Sequence, residues 1–463
     1  MVESKEFKLE VIAMSHPSGR NMTAGSPVAH ILVFSLPLLA GSFLQQFYNL
    51  VDSWVVGNFV SEAALAAVGM GFPVMTFFQA LFIGLSTGGT VIIAQYYGAG
   101  KGEDVKNAVD TIYTAFMRSV IPVTVIALLL LKPMLWLLRV DESAYREAFI
   151  YLAVVTVGLI GTIGYNFNAG ILNGLGNSQT TLIFLVIAAV MNIVLDLVFV
   201  LAFHMGVFGV ALATILAQAF SWLYGIFYIN RKYPEIAIHP FNGRLDRKLL
   251  RQIISIGLPS GLQMSLVSIA TMAVTSKVNS YGTEVWGGGF NVGNKLDSMA
   301  FLPVQSLCSA VTAFVGQNMG AGKPERAVRG TWATVGMSVA WTAVCAVVLM
   351  KWGYVFAGLF TPEQAVVETT VTYLNCIMPP YVLFTTFYVL SAAIRGAGDS
   401  VFPMVNTLTT MIVLRLPALY FLANTFGPEY MYWGYAVGWA VGCPLSIWYF
   451  VSGKWKKRGS LAQ

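Results

Sequence analysis

The chain has 463 residues, of which 57% are hydrophobic and 10% charged, and its formal net charge is +6. A soluble domain carries about a quarter of its residues as charges, so this composition excludes one and places the chain in a bilayer. The four cysteines stand apart in apolar runs with no CxxC pair, which excludes a disulfide framework and a zinc site.

Residues 1–26 mix acids and bases and contain neither an apolar core nor a small-residue cleavage site, so they read as a cytoplasmic tail and not a cleaved signal. Beyond them, apolar runs of about 20 residues, the length that spans hydrocarbon, begin near Pro27, Glu62, Glu103, Ala144, Ser178, Gly206, Lys248, Glu284, Pro324, Glu363, Ser400 and Tyr430. The fold class that follows is all-α and integral to the membrane, with twelve transmembrane helices separated by Gly, Pro, Asn and charge.

Span 1, "SFLQQFYNLVDSWVVG", sets Ser42, Gln45, Asn49 and Asp52 at spacings of 3, 4 and 3, hence on one helical face. After span 2 stands "GAGK" at 98–101, and the same letters return at 320–323 after span 8. A phosphate loop needs Gly five residues before the Gly-Lys pair and Ser or Thr after it. Gln95 and Gln317 hold the first position and Gly102 and Pro324 the last, so the motif is not a nucleotide site.

Span 5, "MNIVLDLVF", places Asn192 and Asp196 one turn apart, and span 6 carries Thr214, Gln218 and Ser221 at the same helical spacing. An ionisable side chain costs about 2.5–3.5 kcal/mol at the membrane centre, so Asp52 and Asp196 read as functional. The amides and hydroxyls, Gln45, Gln218 and Ser221 above all, serve equally well as bonds between helices. If the three stripes converge, two carboxylates with amide and hydroxyl oxygens suit either proton exchange or a small hard cation. His204, at the outer end of span 5, reads as interfacial.

Residues 231–247 form the longest internal loop, polar and basic, and mark a duplication. An offset of 222 residues lays Pro37 on Pro259, Gln95 on Gln317, Gly174 on Gly396, Gly176 on Gly398 and Ser178 on Ser400, slipping to 225 only at the last helix pair. The expected organisation is a tail (1–26), a first six-helix lobe (27–230), a linker (231–247), a second six-helix lobe (248–452) and a basic tail (453–463). With an even number of spans per lobe, both enter the membrane in the same direction, the parallel-repeat plan of transporters.

The second lobe lacks the first lobe's polar set: Asp52 falls on Val274, Asn192 on Leu414 and Asp196 on Ala418, while Trp439 stands opposite Thr214. It carries instead Asn291, Asn294, Lys295, Asp297 and Ser298 in span 8 and Arg415 in span 11. Asn291, Lys295 and Ser298 share a face, and Asp297 points elsewhere, with Arg415 as one partner open to it. Most Lys and Arg lie in the even-numbered loops and the C-terminal tail, whereas the outward loops hold mainly Lys132, Arg139, Arg146 and Lys351. That bias sets both termini in the cytoplasm and accounts for the positive charge without nucleic acid.

The motifs "VDSWVVG", "AQYYGAGK", "GQNMGAGK", "NGLGNS", "RGAGDS", "NIVLD" and "GVALAT" together resemble the multidrug and toxic compound extrusion (MATE) family, in its DinF-like bacterial branch. The resemblance implies a V-shaped antiporter, active as a monomer in the bacterial inner membrane, that exports organic, often cationic, compounds in exchange for H+ or Na+. It implies a cation-coupling site, which would hold Na+ where that is the ion, at Asp52, Asn192, Asp196 and Thr214, and no cofactor. Gln45, Asn49, Gln218, Asn291, Lys295, Asp297 and Arg415 are candidate cavity or substrate contacts. NorM-type members use further acids in spans 7 and 10, where this chain has Ser265, Ser268 and Phe384. The alternative is a flippase for lipid-linked precursors of the same superfamily, against which stand twelve spans and no cavity rich in Arg and Lys. An enzyme would need a nucleophile–base set, a metal cluster or an acidic motif, and the sequence shows none of these.

Overall fold

In hydrocarbon no water satisfies the backbone, so apolar runs must close their hydrogen bonds internally as helices. The computed structural model describes residues 19–60, 62–137, 142–241 and 243–458, and among them holds helices and turns without a strand. Residues 1–18 and 459–463 of the two tails, and Arg139 of an outward loop, lie outside the described residues.

The first half contains α1 (Pro27–Phe59), α2 (Glu62–Gly98), α3 (Gly102–Leu137), α4 (Glu142–Val157), α5 (Leu159–Gly174), α6 (Ser178–Leu197) and α7 (Gly206–Lys232). The second contains α8 (Arg247–Asn279), α9 (Gly288–Gly320), α10 (Pro324–Gly358), α11 (Gln364–Ile377), α12 (Tyr381–Gly396), α13 (Val401–Thr407), α14 (Arg415–Thr425) and α15 (Trp433–Val451), before the short α16 (Lys454–Arg458). Ten helical runs among the described residues are long and apolar enough to cross a membrane, and the bent pairs α4/α5 (47°) and α11/α12 (60°), each read as one span, bring the number to twelve. The breaks fall at the same place in the repeat: Gly158 interrupts the first pair, and Pro379 and Pro380, the latter 222 residues later, lie in the second break. Three further irregularities are π-helical, Val198–Ala202 after α6, Thr283–Gly287 before α9 and Leu408–Leu414 before α14.

The shared turns and glycines have backbone causes. Gly100 and Gly322 take φ of +71° and +69°, where a side chain would be strained. The following Lys101 and Lys323 amides close back onto the carbonyls of Tyr96 (3.0 Å) and Asn318 (2.8 Å), ending α2 and α9 alike. Gly174 and Gly396 let α5 and α12 approach their neighbours: a Cβ would stand 2.9 Å from the Thr90 carbonyl oxygen in one case and 2.5 Å from that of Thr312 in the other. The same threonines donate from Oγ1 to the carbonyls of Gly170 and Ala392, 3.0 Å in both halves. GAGK is thus the helix-ending turn of a duplicated unit.

Two compact units emerge, one of residues 36–261 with the chain before Met22, the other of Met22–Ser35 with Leu262–Gln463. Both divisions run through helices, near Pro37 of α1 and Pro259 of α8. Residues 22–25 are fastened in the second unit: the Met22 amide donates to Gln317 Oε1 (2.8 Å), Lys323 Nζ to the Thr23 carbonyl (2.9 Å), and Arg326 to the carbonyls of Ala24 and Gly25 (2.8 and 2.7 Å). The start of α8 lies in the first unit, where Gly257 and Gly261 meet Gly84 and Gly88 of α2 so closely that a Cβ on Gly84 would touch the Gly261 backbone at 2.3 Å. Facing pairs of glycines four residues apart are a standard membrane-helix contact. The polar segment 231–247 is tied down in the same unit by Lys106 Nζ to the Ala237 carbonyl (2.6 Å) and the Asp246 amide to Thr111 Oγ1 (3.2 Å).

Candidate cation site

The polar stripe of α1 divides by depth. Gln45 and Asn49 are exposed, Ser42 returns its hydroxyl proton to its own helix at the Leu38 carbonyl (3.0 Å), and Asp52 is half-buried. On α6, Asn192 and Asp196 are buried, Asp196 fully, immediately before the π-helical turn. Asn192 Nδ2 donates to Thr214 Oγ1 of α7 at 3.4 Å, and that hydroxyl donates to the Val210 carbonyl at 3.0 Å. The Asp52 and Asp196 carboxyl groups are immediate neighbours. Asp52, Asn192, Asp196 and Thr214 therefore form one constellation on three helices.

Its oxygens are poorly served by the protein. Asp52 Oδ1, Asn192 Oδ1 and both carboxylate oxygens of Asp196 are buried with no hydrogen-bond partner. An apolar wall that includes Val55, Val56, Val200, Val207 and Val210 stands beside them. Two carboxylates in contact repel by about 4 kcal/mol at the effective dielectric of a protein, and none of the described lysines or arginines makes an ion pair with either. Unpartnered anionic and amide oxygens of this kind fit a hard cation or a proton and little else.

The surrounding polar residues separate into different roles. Gln218 Oε1, one turn beyond Thr214, is buried without a partner, whereas Ser221 Oγ donates to the Phe184 carbonyl at 2.9 Å and so joins α7 to α6. His204 is exposed in the turn after the π-helix, at φ +52°. Two tyrosines escape a reading based on intramembrane charge and amides. Tyr48 interacts with Gln45 and Asp52, and Tyr151 of α4 lies within electrostatic reach of both aspartates. The repeat held the signal: Tyr151 falls 222 residues before Tyr373, which lies beside an acid in span 8 of the second half.

That acid is Asp297 of α9. The Tyr373 hydroxyl approaches Asp297 Oδ2 and Asn294 Oδ1, each at 3.4 Å, and Tyr381 is also a neighbour. Arg415 is buried and lies face-on to Tyr435, 3.3 Å from the ring centre, within electrostatic reach of Asp297 but without ion-pair contact. The ion pair found among the described residues is Lys106–Asp110, 2.5 Å. Lys295 and Asn291 are exposed on another face, and Lys295 Nζ sits 5.8 Å over the Phe360 ring. The structure thus separates Lys295 from Asp297.

A family model described as MatE matches residues 37–198 and again 259–421. The two matches begin at Pro37 and Pro259, the pair that the 222-residue offset superimposes. The probable multidrug resistance protein YpnP of Bacillus subtilis is 30% identical over 437 residues, 94% of this chain and 97% of its own length. The probable multidrug resistance protein NorM of Thermotoga maritima is 25% identical over 450 residues, 94% of each chain. In structure, the outward-facing conformation of a multidrug resistance MATE family transporter of the MOP superfamily superimposes with a TM-score of 0.87 at 24% identity, covering 95% of this chain and 99% of that one.

Proposed function

Because the chain belongs to the MatE family, we propose that it is a secondary active multidrug efflux transporter, exporting organic, often cationic, compounds in antiport with H+ or Na+. The observation that carries the coupling site is the cluster of buried, unpartnered oxygens on Asp52, Asn192 and Asp196. A cation bound there relieves the repulsion between the carboxylates, about 4 kcal/mol. That is most of the roughly 5.5 kcal/mol that moves a two-state equilibrium from 1:99 to 99:1. The ion biases a conformational exchange by whatever part of that relief differs between the two states. Thr214, through Asn192, holds the amide in place, and the valine wall keeps competing water away.

In transporters built from parallel repeats, access alternates as one bundle rocks against the other, and the ion and the substrate take turns in stabilising the two states. The protein sits in the bacterial cytoplasmic membrane with both termini inside. It acts on small organic molecules as a monomer and makes no covalent change to them. Purified protein in proteoliposomes, loaded with a cationic dye, tests this reading. Dye should move against an inward Na+ gradient or an inward H+ gradient, and dye flux that follows neither gradient would remove the antiport assignment.

A further inference from the structure

Arg118 poses a problem that the transport reading leaves unused. It lies on α3, a membrane helix, is exposed, and has no hydrogen-bond, ion-pair or ring partner among the described residues. Its level is set by neighbours on the same face: Thr111 holds the Asp246 amide, and Gly243 packs against Thr114 Oγ1. At 1.5 Å per residue, Arg118 is about 10 Å along the helix from Thr111 and about 6 Å from Thr114, hence just below the basic cytoplasmic segment. A charge at such a depth demands a partner or a route to the interface.

Arg118 also lines a cavity of about 360 Å³ inside the first unit, at the small end of the ~300–1,000 Å³ typical of ligand pockets. Its walls are mostly apolar, among them the buried Phe82, Phe116 and Phe167 and, from α8, Leu250, Ile253 and Ile254. Two stripes lead away from it. On α3, Ile121, Val125 and Leu129 follow Arg118 at helical spacing and are 70%, 50% and 72% exposed, and on α8 Leu258 follows Ile254, both exposed. Exposed apolar stripes on membrane helices face hydrocarbon, so the cavity opens where the lipid-facing surface begins. The segment that carries its α8 wall also carries Arg244, Arg247, Lys248 and Arg251.

We propose that this cavity is a binding site for an anionic phospholipid of the cytoplasmic leaflet, the acyl chain in the apolar cavity and the phosphate on Arg118. The charge complementarity is specific: a cation without a protein partner stands at the mouth of an apolar slot, with four further cations at the headgroup level. The site is separate from the constellation of Asp52 and Asp196. Its occupant wedges α3 against the start of α8, the segment that joins the two units of the chain.

The test is native mass spectrometry of the full-length protein released from detergent micelles, titrated with phosphatidylglycerol or phosphatidylcholine. The wild type should retain phosphatidylglycerol in preference. Arg118→Gln should lower phosphatidylglycerol occupancy about fivefold, the factor corresponding to one basic residue near an anionic headgroup, and leave phosphatidylcholine unchanged. Arg118→Lys should recover most of the loss. Ala115→Phe, which fills the cavity and keeps the charge, should lower retention of both lipids. Unchanged phosphatidylglycerol retention in either Arg118→Gln or Ala115→Phe would overturn the assignment. So would inorganic phosphate displacing the lipid at equal phosphate concentration, because a free anion would then suffice.

Discussion

The first half buries Asp196 and Asn192 beside Asp52, and in the second half the same repeat positions hold Ala418, Leu414 and Val274. Val274 and Trp439, the latter opposite Thr214, are packed into the second half's apolar core with Tyr373, Tyr381 and Tyr435. Asp297, the acid of the second half's polar set, sits on α9, a different helix of the repeat, among tyrosines and near Arg415. Yet the backbones agree down to the Thr90–Gly170 and Thr312–Ala392 hydrogen bonds. The contrast teaches that the shared fold needs its glycines and threonines and does not need the first half's carboxylates. Groups that cost several kcal/mol to bury and are dispensable for the fold are the ones on which the proposed coupling site rests.

The sharpest way to break this contrast is Asp52→Asn, which keeps shape and removes charge. Gradient-driven export per folded molecule should fall about a hundredfold, the factor given by a lost buried charge contact of roughly 3 kcal/mol. Full export in a well-folded variant would mean that the constellation does not carry the coupling ion.

The next largest effect concerns what the halves share. Gly174→Ala and Gly396→Ala each push a methyl into a neighbouring carbonyl and should destabilise the protein by about 1–3 kcal/mol, read as a lower unfolding temperature in detergent. The ion dependence of the surviving protein should not move. Sensitivity in one half alone would show that the common backbone plan is not common in energy.

A smaller effect is expected where the halves differ. Asp297→Asn should reduce export per folded molecule by less than about fivefold, the size of one neutral hydrogen bond, while Asp196→Asn behaves as Asp52→Asn does. Transport assays normalised to folded protein decide between them. Equal losses in the two variants, with a changed ion-to-substrate ratio, would make the Asp297 cluster a second coupling site.

The smallest effect tests the direction of the repeat. Phe241, 89% exposed in the polar segment between the halves, should tolerate replacement by cysteine without loss of transport. An impermeant thiol reagent should label it only after cells are opened. Labelling in intact cells would place that segment outside and overturn the topology with both termini in the cytoplasm.

By itself the sequence determined the membrane class, the spans, the two-fold repeat and the face on which each polar residue lies. These depend on run length, helical period and register, all of which are local or strictly repeated along the chain. It also picked out Asp52 and Asp196, because charge inside hydrocarbon is costly wherever it sits, and placed Asn192 and Thr214 in polar helical stripes that the family resemblance joins to them. Only the tertiary structure decided which stripes meet. It placed Asp52 against Asp196 while leaving Gln45 and Asn49 of the same stripe exposed. It turned Lys295 away from Asp297, drew Tyr48 and Tyr151 to the aspartates, and carried Met22–Ser35 into the second unit. Each of those outcomes rests on contacts between residues far apart in the chain, such as Met22 with Gln317 or Gly84 with Gly261. Helical periodicity gives a residue's azimuth on its own helix, but the neighbour it meets is set by how closely two helices approach, which small residues on both of them decide together.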